Sequence, residues 1–227
     1  MPQAQLITAS KRNREGVVRL MKQMASVLIT PTVTFREIAQ QKPWAKAILI
    51  IVLVAVIRAL VTIPDERTLK LLPLDLGSPR VFTLAILPFL ILVGLLFWLF
   101  FSLLTYGVAK LFGGKGTFSS TLLVLAYAEL PFVLLILVLP LAILRLYPMP
   151  AEILSLSGLF INLFQLALVA WSVLLIIVGL KEVHFFGYLQ STGAACLPPC
   201  GCLLLIFLFV GLLITLGLIS TANLLGQ

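Results

Sequence analysis

The sequence predicts an all-α membrane protein: a bundle of five transmembrane helices preceded by a cytoplasmic amphipathic helix segment. Three observations carry that expectation. Apolar residues make up 61% of the chain and charged residues only 11%, with a mean hydropathy of +1.18. A soluble domain is about a quarter charged, so this chain lacks the charge to cover a globular surface in water. The apolar residues gather in five runs, each long enough for a hydrocarbon core of about 30 Å at 1.5 Å per residue. Finally, 16 Lys and Arg stand against 8 Asp and Glu, and the basic residues cluster at the N-terminus and in loops beside the apolar runs.

Residues 1–43 form the N-terminal segment. Residues 1–16 are polar, basic and without periodicity, which predicts disorder. They do not read as a cleavable signal peptide, and the first insertable run, from Trp44, is expected to act as an uncleaved anchor. Val17, Leu20, Met21, Met24 and Leu28 recur at helical spacing, with Arg19, Lys22 and Gln23 off that stripe. A helix over 17–28 with this pattern either lies among headgroups, its basic side chains on lipid phosphates, or packs on the protein itself. Thr30-Pro31 breaks it. Thr34 and Glu37 then have the spacing of a capping box, which predicts a second helix from Phe35 to about Gln41.

The transmembrane domain covers 44–221, with spans at about 44–63, 81–112, 119–146, 156–180 and 199–220, and a short tail over 222–227. The second run is longer than a bilayer requires and is expected to tilt. The third contains Pro131 and Pro140 and is expected to kink. Pro198 and Pro199 sit where the first turn of the fifth helix tolerates proline. Orientation follows from the loops. One side receives Lys11, Arg12, Arg14, Arg19, Lys22, Arg36, Lys42, Lys110, Lys115 and Lys181, the other Arg67, Lys70, Arg80 and Arg145. The basic side is the inner one, so the N-terminus is expected in the cytoplasm and the C-terminus outside.

A carboxylate deep in a bilayer must be paired or neutralised. Glu129 is such a residue, about 15 Å into the third span, and Arg58 lies about two thirds of the way across the first. Asn162 and Gln165 share a face of the fourth. These four residues are expected to form an intramembrane polar cluster, acting as glue between helices or as a proton or solute pathway, the remaining reading being that Arg58 snorkels to the outer headgroups. Gly113, Gly114 and Lys115 form a Gly-rich loop that reads as a tight turn or as a holder of a lipid phosphate. It is not a phosphate-binding P-loop, whose spacing it lacks. Cys196, Cys200 and Cys202, with His184, are candidate zinc ligands; acylation and plain packing are the alternatives. No cofactor is implied. Catalytic signatures such as G-x-S-x-G or H-E-x-x-H are absent from the sequence, and no nucleic-acid-binding motif accompanies the basic charge.

Four features resemble the Yip family, whose eukaryotic members are Ypt/Rab-interacting membrane proteins. They are ITPTVTFREIAQQKPW (Ile29 to Trp44), LFGGKGTFSSTLLVLAYAELPF (Leu111 to Phe132), WSVLLIIVGLKEVH (Trp171 to His184), and the five-span layout itself. The chain looks like a bacterial-type member, and AACLPPCGC (Ala194 to Cys202) departs from the family pattern. The resemblance implies a non-enzymatic membrane protein that recruits or organises partners, in the inner membrane if bacterial. Its partners would be membrane lipids and a protein the sequence does not identify, a second copy of the chain included, and not nucleic acid. The alternative is a small-solute or ion transporter built on the Arg/Glu cluster.

Overall fold

The computed structural model describes residues 25–61, 79–144 and 151–225. The polar N-terminus, most of the 17–28 stripe, and Arg67, Lys70 and Arg145 lie outside them. The described residues are almost entirely helical, with five helices long and apolar enough to cross a membrane.

A helical stretch over 25–29 ends at Thr30, and helix α1 (Pro31–Gln41) starts at once. The expected start at Phe35 is corrected to Pro31. Proline fits the first turn of a helix, where its missing N–H has no partner to lose. Thr34 is therefore an interior residue, and its hydroxyl donates to the Thr30 carbonyl at 2.9 Å rather than capping. The helix ends at Lys42, which takes the left-handed conformation (φ 47°) and donates its N–H to Ile38 O.

The first two spans are α2 (Trp44–Val61) and α3 (Pro79–Leu111). The third is not the kinked α-helix expected. It is α4 (Phe118–Ala128), then a 3-10 helix (Leu130–Val138), then α5 (Leu139–Leu144). Pro131 has no N–H for the Tyr127 carbonyl, so the chain tightens instead of bending. The Phe132 N–H donates to Glu129 O at 3.0 Å, an i to i−3 bond. Glu129 sits at the junction of the two helix types.

The last two spans are α6 (Ala151–His184) and α7 (Tyr188–Leu225). Here too the expected boundary moves, since α7 begins eleven residues before Pro199 and carries Pro198 and Pro199 inside it. The chain turns at Phe185 (φ 59°), and Gln190 Oε1 accepts the Gly187 N–H at 3.1 Å. Both prolines have a φ that a helix accepts, and membrane helices tolerate the carbonyls they leave without donors.

Helix α4 and the 3-10 segment form the centre. Of the third span 67% is buried, against 6% for the second and 17% for the fifth. Helix α4 packs on α2, α3 and α6, and α7 bridges α3 and α6. Leu123, Ala126, Tyr127 and Leu135 are fully enclosed, while Leu96, Phe100 and Leu103 of α3 and Leu203 to Val210 of α7 face outward as a lipid-exposed belt. Helix α1 lies against α6 and α4, burying Phe35 and Ile38. Gly179 makes this close packing possible, since a Cβ there would stand 2.5 Å from Val124 Cγ1 and 3.3 Å from Phe35.

One end of the bundle is thus a cap in which three segments meet. Arg36 of α1 pairs with Glu182 at the end of α6 (2.7 Å). The Lys115 N–H of the α3–α4 loop donates to His184 O (3.2 Å), and Gln190 Nε2 reaches Phe112 O (3.4 Å). These are the segments that the basic-residue count assigned to one side.

Candidate functional site

Two clusters of polar residues stand out, one inside the spans and one in the cap. Inside the spans, Arg58 Nη2 lies 2.8 Å from Glu129 Oε2, off the line of a hydrogen bond but well within an ion pair. The guanidinium also lies over the Phe132 ring, 3.7 Å from its centroid, so its charge is met by a carboxylate and an aromatic face. Pro131 creates this arrangement by ending α4 at Glu129 and starting the tighter helix that carries Phe132.

The pair borders a cavity of about 440 Å³ to which all five spans contribute. Its walls are mostly apolar and aromatic, with Thr105, Ser172 and Trp98 among the lining residues. A few polar groups in an apolar hollow of this size are the usual composition of a small-molecule site.

Asn162 and Gln165 do not join Arg58 and Glu129. Thr121 and His184 are in contact and so mark a common level. From there Glu129 lies about 12 Å along α4, but Gln165 and Asn162 lie about 28 and 33 Å along α6. Asn162 is exposed and Gln165 half-buried, and neither lines the cavity. Shared depth paired the two charges, but the amides sit much nearer the other end of the bundle.

In the cap, the Gly-rich loop closes over His184. A Cβ on Gly114 would stand 2.6 Å from His184 Nδ1 and from Phe186 Cζ; one on Gly116 would stand 2.7 Å from Val183 O and 2.8 Å from Nδ1. Only Gly113 has a positive φ (81°). The other two glycines are there for close approach, not for a turn. The His184 ring stacks on Phe186 and shares a 2.8 Å contact with the Thr121 hydroxyl. That hydroxyl also lies 3.2 Å from Thr117 O. The hydroxyl has one proton to share between Thr117 O and His184 Nε2, and with either arrangement Nδ1 is enclosed without a partner.

The expected grip of this loop on a lipid phosphate would rest on the Lys115 side chain rather than on the loop's first amides. The N–H groups of Gly113, Gly114 and Lys115 donate to Lys110 O, Ala109 O and His184 O, so these amides are already committed. The Lys115 side chain remains exposed. The proposed zinc set is not assembled. Cys196, Cys200 and Cys202 are free thiols on α7, with Cys202 about 240° round the helix from Cys196. The His184 ring is enclosed by the glycine loop and Phe186. Among the described residues no group of three His, Cys, Asp or Glu is placed to hold a metal.

Sequence reasoning missed Thr105, Trp98 and Ser172, because a lone polar residue in an apolar helix gives no sign of which way it faces. It also missed the Thr121–His184 contact, whose signal was present: two polar residues, each at the same end of its span.

The family model described as the Yip1 domain matches residues 25–220 of the chain. No curated protein and no solved structure matches it. The matched region takes in both clusters, and two of the stretches that carry the resemblance, the glycine loop and the end of α6, are the two that interlock around His184.

Proposed function

The chain belongs to the Yip1 domain family, and from that premise we propose that it recruits or organises a protein partner at the membrane through its cap, without catalysing a reaction. The family is generally non-enzymatic. The cap would face the cytoplasm, since the larger share of Lys and Arg falls on the segments at that end. For a bacterial-type member the membrane would be the inner one.

One observation carries this reading. Helix α1 is anchored by Phe35, Ile38 and the Arg36–Glu182 pair, yet its Val33 is 60% exposed and Ile29, just before the helix, is 77% exposed. These two exposed apolar side chains, either side of the Thr30 break and outside the spans, form a ridge suited to a partner. Removing residues 1–42 is a poor test, because it would take Phe35 and Ile38 out of the core and hollow the fold.

The test is a crosslinking pull-down from native membranes, comparing the intact chain with Ile29→Ser/Val33→Ser. We expect a specific protein to be captured by the first and lost with the second, at equal protein level and thermal stability. Capture of the same partner by both would overturn the reading, as would no partner in either.

Transport, the alternative, has less support. Arg58 and Glu129 neutralise each other, and Asn162 and Gln165 lie well along the bundle from them.

A further inference from the structure

We propose that the intramembrane cavity binds an uncharged single-chain amphiphile from the bilayer, such as a long-chain alcohol or a monoacylglycerol. Its polar group would sit at the Arg58–Glu129 pair and its chain would run along α3.

Shape gives the chain. Leu90, Gly94, Phe97, Phe101 and Thr105 line the cavity as one stripe of α3, about 22 Å long at helical rise. The hollow holds about 440 Å³ and runs lengthwise along the stripe, which suits an extended alkyl chain better than a compact solute. The walls beside the stripe, Val54, Val169 and Ile176, are apolar.

Charge gives the head. The pair at 2.8 Å carries no net charge, so an anionic or cationic ligand would gain nothing from it without breaking it. A charged group would also pay for leaving water at this depth. A hydroxyl, by contrast, both donates and accepts. It can donate to the Glu129 carboxylate or to the Ala195 carbonyl. Ala195 and Pro199 both line the cavity, and Pro199 has no N–H to give that carbonyl its helical bond. Thr105 and Ser172 add further hydroxyls to the wall.

The test uses the purified full-length chain in phosphatidylethanolamine/phosphatidylglycerol vesicles and a hexadecanol carrying a photoreactive diazirine. Labelled peptides are located by mass spectrometry. We expect the label on residues 90–105 and 169–176, displaced by excess hexadecanol but not by equal palmitate. Two substitutions fill the slot. At Gly94 a Cβ meets only Ala55 Cβ, at 3.6 Å, so the larger side chain of Gly94→Leu extends into the cavity; Ala55→Phe fills it from α2. Each should cut cavity labelling at least tenfold. Label spread evenly over the outward-facing residues 203–210 would overturn the proposal. So would labelling unchanged in a filled and folded variant, or displacement by palmitate as effective as by the alcohol. If both filled variants fail to fold, the map on the unaltered chain and the competition decide alone.

Discussion

Arg58→Met alone is expected to lower the apparent Tm of the detergent-purified protein by on the order of 10 °C, while Arg58→Met/Glu129→Met recovers most of the loss. The single change strands the Glu129 carboxylate about 12 Å beyond the Thr121–His184 level, inside the third span. A lone charge at such depth costs about 2.5–3.5 kcal/mol, and in a chain of this size each kcal/mol moves Tm by about 2–4 °C. The double change removes both charges and keeps two long side chains between α2 and the 3-10 segment. Buried ion pairs are often replaced this way without loss, because their attraction mainly offsets their own desolvation. Glu129→Met alone should be the milder single change, since Arg58 still has the Phe132 ring beneath it. Thermal melts of the four proteins form a double-mutant cycle. Equal Tm for Arg58→Met and the unaltered chain would mean that the pair does not hold these helices.

Gly114→Ala and Gly116→Ala should each cost about 1–3 kcal/mol or more, the range for overpacking a filled interior. The obstacles are stiff ones. The added methyl at Gly116 meets the Val183 carbonyl oxygen, and at Gly114 the Ala109 carbonyl oxygen at 2.9 Å, besides the His184 ring. His184→Ala should therefore ease the Gly114→Ala penalty, giving a coupling measurable by the same melts. Gly107 and Gly201 serve as controls. A Cβ at either meets nothing within 4 Å, so alanine there should be neutral or stabilising by up to about 1 kcal/mol. If the loop were only a turn, Gly113, with its positive φ, would be the sensitive position, and Gly114 and Gly116 would behave like these controls.

Both results bear on what the sequence could reveal. The five spans were legible because a bilayer imposes length and polarity on any chain that crosses it. The Arg58–Glu129 pair was legible by the same logic, since a buried charge needs a partner at its own depth. Helix ends near proline were less so. Pro31 and the Pro198–Pro199 pair were each read as breaks or starts, yet Pro31 opens a helix and Pro198 and Pro199 lie inside one. Proline forbids only one hydrogen bond and one clash, and the chain met those demands at Pro131 by changing helix type. The cavity was not legible at all. It depends on the rotation of five helices about their axes, and each is apolar on nearly every face, so no stripe marks the side turned inward. The two uses of glycine in the cap were equally hidden, because a glycine needed for φ and one needed for closeness are the same letter.

Helix α1, the glycine loop and the end of α6 interlock at one end of the bundle, and the proposed function needs that end in the cytoplasm. The most direct measurement is labelling of single cysteines with a membrane-impermeant maleimide, in a background with Cys196, Cys200 and Cys202 replaced by serine. Val33→Cys stands on the exposed ridge of the cap, and Arg67→Cys falls in the loop that the charge count assigns to the opposite side. Intact cells should label Arg67→Cys alone, and Val33→Cys should label only after the membrane is permeabilised. Labelling of Val33→Cys in intact cells would put the cap outside and contradict a cytoplasmic platform.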